Sequence, residues 1–218
     1  MLSFGNRVTF ASSLAIALAL LTGCASTPSA TPTTPAATSP SASAPTPTPT
    51  TGAAGAEPAE WIIDFEGVGP LTIGGSSAAE LPETAPAYTV DASGTCPNPA
   101  TSILQSASNP TIWVQASGEG ADDIALIAVG GDLPENGRAD GSPRTTEGVG
   151  IGSPLAETEA AYPAGTVEND PQGDLMRFVV NGEGPTGEPR YLVFDFYDDV
   201  VQTILIQTSS DVVNDFCA

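Results

Sequence analysis

Three cysteines (Cys24, Cys96 and Cys217), 26 carboxylates and two tryptophans are the side chains of this 218-residue chain whose types could do chemistry. The usual activating groups are missing. There is no histidine, and the five cations are all arginine: Arg7, Arg138, Arg144, Arg177 and Arg190. An imidazole base, an imidazole metal ligand and a Schiff-base lysine are therefore excluded. Without a histidine beside them and without CxxC spacing, the cysteines are poor candidates for thiol nucleophiles. The carboxylates gather at turns. Asp195, Asp198 and Asp199 form one cluster, Asp122-Asp123 a second, and Asp132 to Asp140 a third. Oxygen-rich turns suit Ca²⁺, and Asn136-Gly137 is well placed for a calcium loop. However, Pro134 stands at the third ligand position and Pro143 where a bidentate glutamate belongs. Solvated acidic turns are the reading, with no metal site. A glycosidase needs two carboxylates at a fixed separation, but so many acids make pairs unavoidable and uninformative. No catalytic residue and no cofactor are assigned.

The formal net charge is −21. A nucleic-acid partner bound by phosphate neutralisation is excluded, because such a chain repels the backbone. Gly148-Val149-Gly150-Ile151-Gly152 resembles half of a dinucleotide fingerprint, but Ser153 holds the third glycine place and Thr145-Thr146 does not read as a buried strand. These glycines are expected to be structural, preceding a helix.

The elements that carry these residues begin with an export signal. Arg7 supplies a charge, and Val8 to Leu21 is apolar. This stretch is shorter than the ~20 residues that span a bilayer, and matches a secretory h-region. Leu21-Thr22-Gly23-Cys24 resembles the bacterial lipobox. The resemblance implies cleavage after residue 23 and a diacylglyceryl group on Cys24, and two acyl chains give stable anchoring. The chain is therefore expected at the extracytoplasmic face of a cell membrane, with the membrane as its first partner.

Ala25 to Ala56 holds only 9 Ala, 9 Thr, 7 Pro, 5 Ser and 2 Gly. With no charge and nothing larger than threonine, it cannot bury enough apolar surface to offset its ordering entropy. Residues 24–56 read as a disordered tether biased toward polyproline II, reaching roughly 100 Å at ~3.1 Å per residue. Its Ser/Thr/Pro composition also fits O-glycosylation.

Residues 57–218 remain for a core. Three elements share an offset of 78. Leu71 to Ser77 aligns with Val149 to Leu155, Ile112-Trp113-Val114 with Arg190-Tyr191-Leu192, and Asp123 to Gly130 with Val201 to Thr208. Each unit reads as a short strand carrying Ile-Gly, a helix start, and antiparallel strands. Ser77-x-x-Glu80 is a capping box; Ser153 is an N-cap followed by Pro154. Pro82 and Pro86 shorten the first helix, and Pro163 stops the second after Tyr162. Leu192, Phe194 and Phe196 line one face of a strand, as do Ile204 and Ile206, with an acidic turn between. The fold class is α+β: two related strand–helix–antiparallel-meander units, 57–135 and 147–218, joined by a linker at 136–146. Trp113, among apolar strand neighbours, is expected in the core; Trp61, at the edge of the tether, is less clearly placed.

This doubled unit resembles the β-lactamase inhibitor proteins of actinomycetes and the small lipoprotein of the outer-membrane barrel-assembly machine. Those families carry Gly-Met-Thr before the helix; here the places read Gly74-Gly75-Ser76 and Gly152-Ser153-Pro154. The resemblance implies inhibitor or assembly-factor activity. From the residues themselves, acylation of Cys24 leaves Cys96 and Cys217 as an even pair in an oxidising compartment, and a disulfide is expected. The functional expectation is a surface-displayed binding domain, not an enzyme. Its partner would be an envelope protein or a cationic group. A carboxylate hydrolase is the remote alternative.

Overall fold

A computed structural model describes residues 57–93, 96–131, 139, 141–169, 175–211 and 216–217. The export signal, Cys24 and the tether lie outside the described residues, as do Asp132 to Arg138 and Asp140 of the calcium-like stretch. Twelve strands and two α-helices follow one another along the described residues. The first unit holds β1 (Ile62–Ile63), β2 (Gly67–Val68), β3 (Leu71–Thr72), α1 (Ser77–Glu80), β4 (Thr89–Val90), β5 (Thr101–Gln105), β6 (Thr111–Ala116) and β7 (Ile124–Gly130). Then come β8 (Arg144–Thr145), α2 (Leu155–Ala161), β9 (Thr166–Asn169), β10 (Met176–Glu183), β11 (Pro189–Tyr197) and β12 (Val200–Gln207). Both helices are short, four and seven residues, because Pro82 and Pro163 remove the donors that would prolong them. The described fold is thus predominantly β, which corrects the balance of the expected α+β class.

Eight strands form one antiparallel sheet in the order β4-β5-β6-β7-β12-β11-β10-β9. Two meanders, each following a helix, therefore meet along β7 and β12. Their register places Ala128 opposite Leu205, with Leu126–Gln207 and Thr203–Gly130 equally displaced on either side. A local two-fold axis passes through the central pair. The helix approaches match too. Gly74 N donates to Ile124 O at 2.7 Å and Gly152 N to Val201 O at 2.8 Å, and both glycines have φ of +84°, a backbone shape that disfavours a side chain. The expected offset holds at these glycines but drifts along the strands. Ile112 faces Val129 as Leu192 faces Ile206, so Ile112-Trp113-Val114 corresponds to Leu192-Val193-Phe194, not to Arg190-Tyr191-Leu192. The second hairpin is shorter, turning tightly at Asp198 and Asp199, both with positive φ.

A second sheet, ordered β3-β2-β1-β8, lies beside the first. β8 runs parallel to β1, with Ile62 opposite Arg144. The expected linker therefore contains a strand, and Thr145 within it is buried, contrary to expectation. The main core forms between the sheets and helices: Trp61, Ile63, Leu71, Val149 and Ile151 pack against Ile112, Ile127, Phe194, Ile204 and Ile206. A smaller cluster of Leu126, Ala128, Val179, Val193 and Leu205 occupies the other face of the large sheet. No helix among the described residues is long and apolar enough to cross a membrane.

Two capping assignments shift. The N-cap of α1 is Ser76, which accepts from Ala79 N at 3.2 Å, one residue before the expected Ser77. Asp122 decides this from the neighbouring hairpin. Its Oδ1 accepts from Ser77 Oγ (2.9 Å) and Ala78 N (2.8 Å), and Ser76 Oγ donates to its Oδ2. Glu80 reaches back to Thr72 instead, accepting from its N and Oγ1 at 2.8 and 2.6 Å. In α2 the N-cap is Pro154; Ser153 Oγ accepts from Gly150 N at 3.1 Å, bracing the preceding turn.

Candidate functional site

A cleft with two carboxylates on its wall joins four segments distant in sequence. Ile63 ends β1, and Asp64 and Phe65 follow it. The turn after β8 supplies Thr146 and Glu147; Tyr162 caps α2; Leu192 projects from β11. Together they line a cavity of about 190 Å³. Local turns hold the acids in place. Asp64 Oδ1 accepts from Glu66 N and Gly67 N at 2.8 and 3.0 Å, an Asx-type turn that orients the carboxyl. Gly148, at φ +88°, turns the chain back after Glu147, and Gly148 N donates to Thr145 O at 2.8 Å. The side-chain position at Gly182 is filled by Phe65, whose ring lies 2.5 Å from where a Cβ would stand; β10 thereby fixes that wall.

Tyr162 Oη donates to Glu147 Oε2 at 2.5 Å, and the Tyr162 ring centroid lies 5.4 Å from that of Phe194. Burial pushes the phenol well above its ordinary range, and the Glu147 acceptor adds to this by favouring the protonated form. The phenol therefore stays a hydrogen-bond donor. The second oxygens of Asp64 and Glu147 accept no hydrogen bond from the described residues. Two carboxylates beside Ile63, Phe65 and Leu192 can bind a donor-rich cationic group and cover an apolar stem.

The residues singled out from sequence fall elsewhere. Cys96 and Cys217 are joined, with sulfurs 2.14 Å and Cα atoms 4.9 Å apart. Asp195 does not belong to the acidic turn: it pairs across strands with Arg177 at 2.9 Å, both side chains nearly buried. Asp198 and Asp199 alone make the two-residue turn. Asp122 is engaged by α1, and Asp123 accepts from Ser117 Oγ at 2.9 Å. Among the described residues, no group of three or more His, Cys, Asp or Glu could hold a metal ion. The tryptophans reverse their expected order. Trp61 is 1% exposed and stacks on Tyr88 at 5.5 Å, whereas Trp113 is half-buried on the opposite face, against Phe216 at 5.6 Å.

Asp64, Glu147 and Tyr162 were not singled out by sequence. Glu-Gly-Val-Gly occurs both at 66–69 and at 147–150, beside the two turns, but nothing local says that these turns converge on one helix end. No protein-family model, characterised protein or solved structure matches this chain.

Proposed function

We propose that this chain is an exported, lipid-anchored binding module of the bacterial envelope, and that its ligand presents a cationic group to the Asp64–Glu147–Tyr162 cleft. The export signal and Leu21-Thr22-Gly23-Cys24 support the anchor, residues 24–56 support a spacer, and the Cys96–Cys217 bond suits an oxidising compartment. The absence of histidine and lysine argues against common acid–base and covalent chemistry. Charge argues for a cationic partner. Arg177 and Arg190 are spent on Asp195 and Glu188, and Arg144 donates to Gly148 O. Arg7 is the only charged residue before Glu57, so the net negative charge belongs to the domain. The cleft is the observation that carries the reading, because it pairs carboxylates with apolar walls.

Two halves related by duplication are part of this proposal, supported by the local two-fold axis between β7 and β12. The paired meanders also favour a second reading, an enzyme inhibitor or envelope-assembly factor, in which the sheet and not the cleft meets the partner.

Calorimetric titration of the purified domain with spermidine and with N-acetyl-arginine methylamide tests the cleft. Binding should weaken in Asp64→Asn and Glu147→Gln and on adding salt; equal binding by wild type and both variants would refute the assignment. For the anchor, intact mass of the membrane fraction should show diacylglyceryl on Cys24, and Cys24→Ala should release the chain to the medium. Retention of that variant on the membrane would overturn the lipid assignment.

A further inference from the structure

The inner face of the large sheet packs against the small sheet and against Leu155 and Ala161 of α2, but its outer face has a different cover. Ile103, Trp113, Ala128, Leu205, Val193 and Val179 stand in register across six strands, forming an apolar row centred on the local axis. Ala128, Leu205 and Val193 in this row are fully buried. Phe216 packs on this cluster, its ring tilted against Trp113 at 5.6 Å. Its carbonyl oxygen accepts from Thr101 Oγ1 at 2.7 Å and Asn98 Nδ2 at 3.3 Å. The next residue, Cys217, is bonded to Cys96. Where the chain leaves β12, Gln207 Nε2 donates to Ser209 O and Asp211 O at 2.6 and 3.2 Å.

A stretch held by a ring contact and neutral hydrogen bonds opens easily where these barely outweigh its ordering entropy. The covalent tie changes this by keeping Phe216 near Trp113 whatever the local fluctuation. We propose that the Cys96–Cys217 disulfide is a redox latch, and that Phe216 is the intramolecular cover it holds on the outer face of the sheet. Both cysteines are partly exposed. A dithiol reductant reaching one sulfur forms a mixed disulfide, and its second thiol resolves it. Two electrons pass to the protein, the reductant becomes a disulfide, and the two protons remain on the Cys96 and Cys217 thiols. Phe216 then leaves Trp113, and the apolar row becomes accessible.

The test is a native-state comparison of the oxidised protein, the protein reduced by a soluble dithiol, and oxidised Phe216→Ala. Trp113 emission should shift to the red on reduction, and binding of an apolar dye should rise several-fold. Far-UV circular dichroism should not change. Phe216→Ala should reproduce both effects with the disulfide intact, and Trp113→Phe should abolish the emission shift. Unchanged emission and dye binding in the reduced protein or in Phe216→Ala would overturn the proposal. So would cooperative loss of the far-UV signal on reduction, because the bond would then hold the whole fold instead of a cover.

Discussion

Replacing each tryptophan by alanine should give costs in the order Trp61 above Trp113. Trp61 is 1% exposed, stacks on Tyr88 with an interplanar angle of 29°, and fills the space beside Gly69, where a Cβ would lie 2.4 Å from its ring. A tryptophan burying roughly 200 Å² at ~25 cal/mol per Å² contributes about 5 kcal/mol. That figure is an upper estimate because the unfolded chain already hides some surface. Trp-to-Ala substitutions in cores cost ~3–5 kcal/mol, so about 4 kcal/mol is expected for Trp61→Ala. Trp113 is half-buried and meets chiefly Phe216 on its outer side, so Trp113→Ala should cost about 1–2 kcal/mol on the same area scale. Total stability of ~5–15 kcal/mol leaves both variants measurable. Urea unfolding followed by far-UV circular dichroism gives the two values without relying on tryptophan emission. In melting temperature, Trp61→Ala should lose ~8–16 °C at ~2–4 °C per kcal/mol. If Trp113→Ala proved as costly as Trp61→Ala, the assignment of the small sheet to the main core would be wrong.

Other consequences follow from single contacts. The Cys96–Cys217 bond spans a sequence separation of 121, and loop-closure entropy for that length is worth about 5 kcal/mol. Cys96→Ser/Cys217→Ser should lower the unfolding free energy by less than this full amount, because the released stretch regains entropy in the folded state; an unchanged urea midpoint would contradict the bond. The Asp122 carboxyl is held below its ordinary value by the Ser76 hydroxyl first, then by Ala78 N and Ser77. A depressed folded value stabilises the protein above the unfolded carboxyl range, and that contribution disappears as pH falls through the folded value. The stability gap between wild type and Asp122→Asn should therefore be largest near neutrality and close in acid. A gap that widened on acidification would refute the contact.

The sequence alone determined the features that depend on local pattern. Alternation at Leu192, Phe194 and Phe196 and at Ile204 and Ile206 identified strand faces that the core then used. Ile73-Gly74 and Ile151-Gly152 marked two equivalent helix approaches, and Pro163 marked the end of α2. Cys96 and Cys217 were paired by counting. Tertiary structure decided what pattern cannot encode. β1 and β8 are two residues each, too short to show any period, so the burial of Trp61 and Thr145 depended on partners some eighty residues away. The α1 cap moved to Ser76 because Asp122 arrives from another hairpin. Asp195 left its acidic cluster because strand alternation turns it toward Arg177, away from the turn. The cleft is the extreme case. Periodicity reports which face of a segment is apolar, but only the packing of β1, the β8 turn and α2 brings Asp64, Glu147 and Tyr162 together.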